Sequence, residues 1–473
     1  MRFTCLLLER ALEVRLAVVG SGPAGMYCAQ SLLSSPLNPR VDVFEKSPVP
    51  FGLIRFGVAP DHVDVKNCIV GLERMINRAG DRFRFFGNVN VGKDVSVRNL
   101  AQLYDGVILA FGAQEERPLV PKPIDGSNCF SARQIVGWYN GEPSCQDIRP
   151  ILNAGSTAVI LGQGNVALDV ARVFLKSPDE LQHTDITEPA LNALRGSTIK
   201  KVILIGRRGP LQVSFTTKEL RELTKLNDTT PIVREEDLKE VESLYTLLPR
   251  ARQRLAQLLL TTSQLNKSMQ IHTRKQWELR FLLSFKGIEY EKATCRVTFT
   301  RNILEQDLKD LRHAKAYPTD LTEVIPCSLL VYSFGYRSVN IEPGLLPFDP
   351  HKRIILTDDR GRVKGSSNLY ACGWCATGPV GELAQTQSTA KAVAMNVAED
   401  LLDANASSRA NMDIKQMLIE RNVRWVDWDQ WKKLDETEVR RGQLANKLRQ
   451  KVVDEEEMLQ IALEKAHIAK PVV

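Results

Sequence analysis

The apolar positions of this chain fall into short continuous runs, each followed by a stretch of helical periodicity. Leu16–Val19 is such a run, and it ends on Gly20-Ser21-Gly22-Pro23-Ala24-Gly25, after which a helical pattern extends from Met26 to about Leu33. Val41–Phe44 predicts a second strand, ending on Glu45, and Gly106–Phe111 a third that closes the block. The same order then recurs. Ala158–Leu161 predicts a strand, Gly162-Gln163-Gly164-Asn165-Val166-Ala167 a turn, and Val166–Leu175 a helix. Val202–Ile205 follows as a strand ending on Gly206-Arg207-Arg208. Further strands are expected at Val297–Thr300, Ser328–Ser333 and Leu369–Gly373, and a helix from about Leu383 to Leu402. The stretch between Ser177 and Ser197 is expected to be a surface excursion, and Lys218–Ser268 to be helical throughout. Strands alternating with helices predict parallel sheets with right-handed crossovers.

The two turns carry the chemistry. In the first, Gly20 permits the tight turn, Gly22 lets backbone approach a pyrophosphate, and Gly25 lets helix pack on strand. The helix start offers unpaired N–H groups and a partial positive charge to phosphates. Glu45 stands at the end of the next strand, where an acid receives a ribose hydroxyl. The second turn ends in Ala167, and the strand after it ends on Arg207 and Arg208 where an NAD site has an acid. Two guanidinium groups suit a 2′-phosphate, which a carboxylate would repel. This assigns NADPH to the second turn and, by order along the chain, FAD to the first, with Gly373–Gly381 placed to complete the flavin pocket. The fold class expected is α/β, with two Rossmann-like dinucleotide-binding domains.

Composition narrows the picture without changing it. The 473 residues, 43% hydrophobic and 25% charged, suit two or three soluble domains. The formal charge of +7 is compatible with an acidic partner. No nucleic-acid partner is expected, and at most peripheral membrane contact, since no run reaches the ~18 apolar residues of a spanning helix. The nine cysteines are scattered, which argues against a secreted disulfide framework, and none has cluster-ligand spacing, so any iron–sulfur centre comes from a partner. No metal site is expected. Cys372-Gly373-Trp374-Cys375 has dithiol spacing and keeps a flavin-dependent disulfide reductase as an alternative; a slow pyridine-nucleotide sensor is another. The N-terminal segment joins Arg2, Arg10 and Arg15 to the apolar Cys5–Leu8 run but also carries Glu9 and Glu13, so it reads as a weak or short organelle signal.

Three longer segments carry a family resemblance: Pro50-Phe51-Gly52-Leu53-Ile54-Arg55-Phe56-Gly57-Val58-Ala59-Pro60-Asp61-His62, the stretch from Ile160 to Arg172, and Gly206-Arg207-Arg208-Gly209-Pro210-Leu211-Gln212-Val213. On these the chain resembles the ferredoxin–NADP reductases of the adrenodoxin-reductase type, from about Arg15 to the C-terminal helix. The resemblance implies an NADP domain (115–338) inserted within a discontinuous FAD domain (1–114 and 339–473). It implies flavin contacts at Ala24, Glu45, Leu53, Val91, Trp374 and Gly381, Glu382 and Leu383, beside the turn residues Gly20, Gly22, Pro23 and Gly25. NADP contacts are implied at Gly162, Gln163, Gly164, Asn165, Val166, Arg207, Arg208, Glu219 and Gly381. His62 and Asp169 match residues near the flavin with an implied role in guiding protons or electrons. Arg221, Arg250 and Arg254 would face an acidic [2Fe–2S] ferredoxin in the mitochondrial matrix, supplying a cytochrome P450 or iron–sulfur and haem pathways. The chain departs from the family at Glu382, where an apolar residue is usual; a carboxylate there would disfavour a negatively charged reduced flavin.

Overall fold

The computed structural model describes residues 14–464 except 125–126, 269–273, 292–293, 306–309 and 404–411. The N-terminal residues read above as a weak organelle signal lie outside this range, up to residue 13. In chain order the first block runs β1 (Arg15–Val19), α1 (Pro23–Leu33), β2 (Arg40–Phe44), β3 (Phe83–Phe86) and β4 (Gly106–Leu109). The second begins with β5 (Cys129–Ser131), β6 (Thr157–Leu161), α2 (Asn165–Leu175), α3 (Glu188–Arg195) and β7 (Lys201–Ile205). It continues with α4 (Thr217–Thr224), β8 (Thr229–Val233), α5 (Arg250–Ser268) and β9 (Lys275–Arg280). An antiparallel arm of β10 (Leu283–Glu291), β11 (Thr294–Glu305) and β12 (Lys315–Cys327) follows, then β13 (Leu329–Tyr332). The chain returns through β14 (Leu369–Ala371), α6 (Leu383–Asp403) and α7 (Trp428–Leu444).

Two parallel sheets result. The first has the order β14-β4-β1-β2-β3, so its strands come from both ends of the chain. The second, β5-β13-β6-β7-β9-β8, comes entirely from between them. Burial on both faces explains why the strands read as unbroken apolar runs. In β1, Leu16 and Val18 enter one core and Ala17 and Val19 the other, as the two-residue repeat of a strand requires. In β6, Ala158 and Ile160 face helices, while Val159 and Leu161 face the antiparallel arm through Cys295, Val297, Phe299 and Ile325. In each sheet the strand before the glycine turn is flanked by neighbours whose connections run to opposite sides, the switch point beside which α/β sheets form ligand crevices. No helix among the described residues is long and apolar enough to cross a membrane.

Two stretches differ from the expectation. The stretch after Ser177 is no surface excursion: Leu181, Ile186 and Leu191 are in the core, and Asp185 accepts hydrogen bonds from Lys66 Nζ at 2.7 and 2.8 Å. Asp185 also pairs with Lys451 at 2.8 Å, and Lys451 donates to the carbonyls of Arg55 and Asn140. The segment after Lys218 is not helical throughout, since β8 lies within it at the edge of the second sheet. Pro231 there cannot donate to a ladder, a residue tolerated in edge strands. Around Lys451, the first block, the second block and the C-terminal tail meet in buried ion pairs, including Arg55–Glu438 at 2.5 Å. Removing one member of such a pair leaves an uncompensated charge and costs about 3–5 kcal/mol.

Candidate functional site

The two glycine turns have the same construction. Gly20 has φ +104, and a Cβ there would meet the Ala110 carbonyl oxygen at 2.6 Å; Gly162 has φ +124, and a Cβ would run into the carbonyl oxygen of Ser333. Each glycine is pressed against the end of the neighbouring strand and sits where L side chains are strained. The second glycine of each turn is different. Gly22 and Gly164 are extended N-caps with nothing within 4 Å of an added Cβ, so the backbone before each helix is open. Neither N-terminus has a side-chain cap, which leaves first-turn N–H groups for an anion. The third positions diverge: a Cβ at Gly25 would collide with the Gly20 carbonyl, whereas Ala167 fits fully buried.

Both turns open onto one cleft of about 790 Å³. From the first block it is lined by Gly20, Gly22, Pro23, Ala24, Glu45, Leu53, His62 and Val91; from the second by Asn165, Val166, Asp169 and Glu219; from the returning chain by Trp374, Gly381, Glu382 and Leu383. Glu45 is fixed at the end of β2, its carboxylate accepting from Ser21 N (2.9 Å), Ser21 Oγ (2.8 Å) and Ser47 N (3.2 Å). Trp374 stacks obliquely on Tyr336 at 5.6 Å, and Gly373 packs so closely on Ala24 that a Cβ would clash. Gly381 has φ +93, and Glu382 is exposed at the rim.

Gly25, Gly162, Gln163, Gly164, Arg207 and Arg208 lie behind or beside this lining. The Gln163 side chain does not reach into the cleft: its Nε2 donates to the Leu204 and Arg280 carbonyls at 3.0 Å each, bracing the turn against β7 and β9. Its backbone carbonyl accepts from Ser214 N and Phe215 N at 3.1 and 3.2 Å. A Cβ at Gly206 would strike Gln163, so Arg207, exposed, and Arg208, half-buried, start one residue from the second turn. Arg221 on α4 and Arg250 and Arg254 on α5 are exposed, the last two spaced to share one helix face.

His62 and Asp169 belong to a larger network. His62 Nε2 lies 2.6 Å from Glu222 Oε2. Arg172, almost fully buried, binds Asp61 through Nε and Nη2 at 2.9 and 3.0 Å and Asp169 at 2.7 Å, with Glu219 and Glu222 at 3.7 and 3.5 Å. Burial alone would raise Asp61, but Arg172 and Lys176 hold it well below the usual carboxylate range. Burial raises Asp169 despite Arg172. Burial together with the charges of Asp169 and Glu222 pushes Glu219 up to about 7, and its Oε2 has no hydrogen-bond partner among the described residues. Donor atoms of His62, Asp169 and Glu219 lie within 4.8 Å of one another. The Arg172 guanidinium lies in the same cluster, 2.7 Å from Asp169 and 3.7 Å from Glu219.

The dithiol alternative finds no support in the geometry. Cys372 belongs to one core and Cys375 to the core on the other side of the sheet. The neighbouring Cys28 and burial push the Cys372 thiol well above its ordinary value, and burial does the same for Cys375, which donates to the Leu109 and Cys372 carbonyls. Buried, protonated thiols are poor nucleophiles. Sequence reasoning missed Tyr336, Arg172 and Glu222. Arg172 stands in the quoted Ile160–Arg172 segment, three residues after Asp169, and that spacing is the signal that identifies it as a helical partner.

Residues 14–225 match the pyridine nucleotide-disulphide oxidoreductase family. The mitochondrial NADPH:adrenodoxin oxidoreductase of Mus musculus is 43% identical over 94% of this chain and 91% of its own length. The NADPH-ferredoxin reductase FprA of Mycobacterium leprae is 36% identical over 94% of this chain and 98% of its own. Among solved structures, Mycobacterium tuberculosis FprA in complex with NADPH superposes with a TM-score of 0.87 at 34% identity, covering 96% of this chain and 100% of that one.

Proposed function

The chain belongs to the family of NADPH:adrenodoxin and NADPH–ferredoxin reductases, FAD- and NADPH-dependent oxidoreductases, and from that premise we propose that it passes electrons from NADPH through FAD to an acidic [2Fe–2S] ferredoxin. The observation that carries the proposal is that both glycine turns, one from each sheet, open onto the same cleft. Two dinucleotides bound at these turns would meet there. The residues present fit both: each middle glycine has open space beside its backbone, each helix start is uncapped, and Glu45 is held at the strand end.

When bound, FAD supplies the step from a two-electron donor to one-electron release; the protein's part is alignment and exclusion of water. The Gly20–Gly25 turn with Pro23 and Ala24 holds the flavin pyrophosphate on the start of α1, and Glu45 receives the ribose. Leu53, Val91, Trp374 and the segment from Gly381 to Leu383 enclose the ring. The backbone from Gly162 to Val166 takes the NADPH pyrophosphate, Arg207 and Arg208 its 2′-phosphate, and Glu219 and Gly381 its nicotinamide end. His62, bonded to Glu222, and Asp169, bonded to Arg172, line the cleft and would guide protons or electrons, with no direct part in the NADPH step, which needs no side-chain acid. The NADP domain is assigned to 115–338 and the FAD domain to 1–114 with 339–473.

Arg221, Arg250 and Arg254 form the docking face for the ferredoxin, where complementary charge speeds encounter and keeps the complex short-lived. Residence in the mitochondrial matrix, and supply of electrons to a cytochrome P450 or to iron–sulfur and haem synthesis, complete the proposal. The mitochondrial designation of the mouse relative supports the compartment. Stopped-flow reduction of an acidic [2Fe–2S] protein by the NADPH-reduced enzyme tests the docking face. The second-order rate is expected to fall steeply with rising salt, and to fall about tenfold at low salt on Arg250→Glu/Arg254→Glu. A rate indifferent to both changes would contradict the proposal.

A further inference from the structure

We infer that Asn302 is a positioning residue for 2′-phosphate recognition, holding the Arg207–Arg208 segment in place from the antiparallel arm. The inference rests on the proposed role of those two arginines. Three consecutive carbonyls of the segment are tied to the arm and the residues leading into it. The Gly206 carbonyl accepts from Leu283 N at 3.0 Å, the Arg207 carbonyl from Asn302 Nδ2 at 2.7 Å, and the Arg208 carbonyl from Leu282 N at 3.1 Å. Two of these donors are backbone groups that any sequence would supply. The Asn302 amide is the side-chain donor among the three.

Several features aim that amide. Asn302 is only 2% exposed. Its own N–H donates to the Leu282 carbonyl at 2.7 Å, and Nδ2 also reaches Ser284 Oγ at 2.8 Å. The pairing of β11 with β12 slips between Thr300 and Asn302, an irregularity of the kind that re-aims a side chain out of a ladder. Leu282 sits at φ +57, backbone that a leucine adopts only under constraint. A bulge, a left-handed leucine and a buried amide thus converge on the segment that bears both guanidinium groups. Recognition of a phosphate by two guanidinium groups depends on their relative position, because each donates in a fixed planar fork. Asn302 is far along the chain from either glycine turn and outside the cleft lining, so its effect is carried through the Arg207 main chain.

Steady-state kinetics of the flavin-loaded enzyme with NADPH and with NADH test this. Asn302→Leu, similar in volume but without a donor, is expected to raise the KM for NADPH about tenfold relative to that for NADH, with kcat for NADPH within about twofold of wild type. The affinity for 2′,5′-ADP, which carries the distinguishing phosphate alone, is expected to fall by the same factor. Should Asn302→Leu not accumulate folded, Asn302→Asp, which keeps the shape but presents an acceptor to the Arg207 carbonyl, is expected to lower the affinity for 2′,5′-ADP at least as much. Unchanged NADPH KM and 2′,5′-ADP affinity, or a KM rise shared equally by NADH, would overturn the inference. Arg207→Ala/Arg208→Ala, assayed alongside, separates the two failures. If that pair changes coenzyme preference and Asn302 does not, this inference alone falls; if the pair changes nothing, the nucleotide assignment beneath it falls.

Discussion

Glu219 keeps its proton at a pH where a free glutamate has lost it, because it is buried beside Asp169 and Glu222 with Arg172 as partial compensation. The unfolded chain releases this proton near 4.5 and the folded protein near 7. Between those values the folded state binds more protons than the unfolded one, so stability falls as pH rises, and the loss is complete above 7. Thermal unfolding of the enzyme should therefore show a melting temperature that declines from pH 5 to pH 8, and Glu219→Gln should flatten that decline. Asp169, also raised, acts in the same direction and leaves a residual slope. An unchanged profile in the variant would contradict the assignment. At this scale the sequence disclosed the residues whose chemistry depends on position along the chain, such as Glu45 at a strand end after a glycine turn. It did not disclose Glu222 or Asn302, whose partners are brought to them only by tertiary folding.

The strand–turn–helix units were legible as elements because their strands are buried on both faces and their turns require glycine for stated steric reasons. The two glycines of the second turn differ in what they require, and this can be measured. Gly162→Ala is expected to destabilise the second block by about 2 kcal/mol or more, since it places a methyl at φ +124 against the Ser333 carbonyl. Gly164→Ala has φ −107 and open space, so the melting temperature should move by no more than about 2 °C, while the KM for NADPH rises. Equal destabilisation by the two would show that the second glycine is structural. The antiparallel arm escaped the sequence reading except at Val297–Thr300. Its strands alternate buried and exposed positions unevenly and carry many charges, and β12 is mostly exposed until Ile325. The edge strand β8 was hidden by Pro231 and by the charged helices on either side.

At the scale of the whole molecule, two sheets, one assembled from both chain ends and one from the middle, hold their glycine turns toward a common cleft. The strands that flank each glycine turn were read from the sequence, but β3, β5, β8 and β9 were not, and neither was how the blocks are fastened. The Lys66–Asp185–Lys451 contacts, the Arg55–Glu438 pair and the His62–Glu222 bond join residues far apart in the chain, with no local pattern to announce them. Of these, the Lys66–Asp185 and His62–Glu222 contacts tie the first block to the second, on whose relative placement transfer between two bound dinucleotides depends. The most direct measurement of that arrangement is anaerobic bleaching of the flavin absorbance by NADPH and by NADH, in wild type and in Arg207→Ala/Arg208→Ala. Rapid bleaching by NADPH, much slower bleaching by NADH, and loss of that preference in the double variant are expected. Purified protein that takes up no flavin, or a coenzyme preference untouched by removing both arginines, would contradict the account.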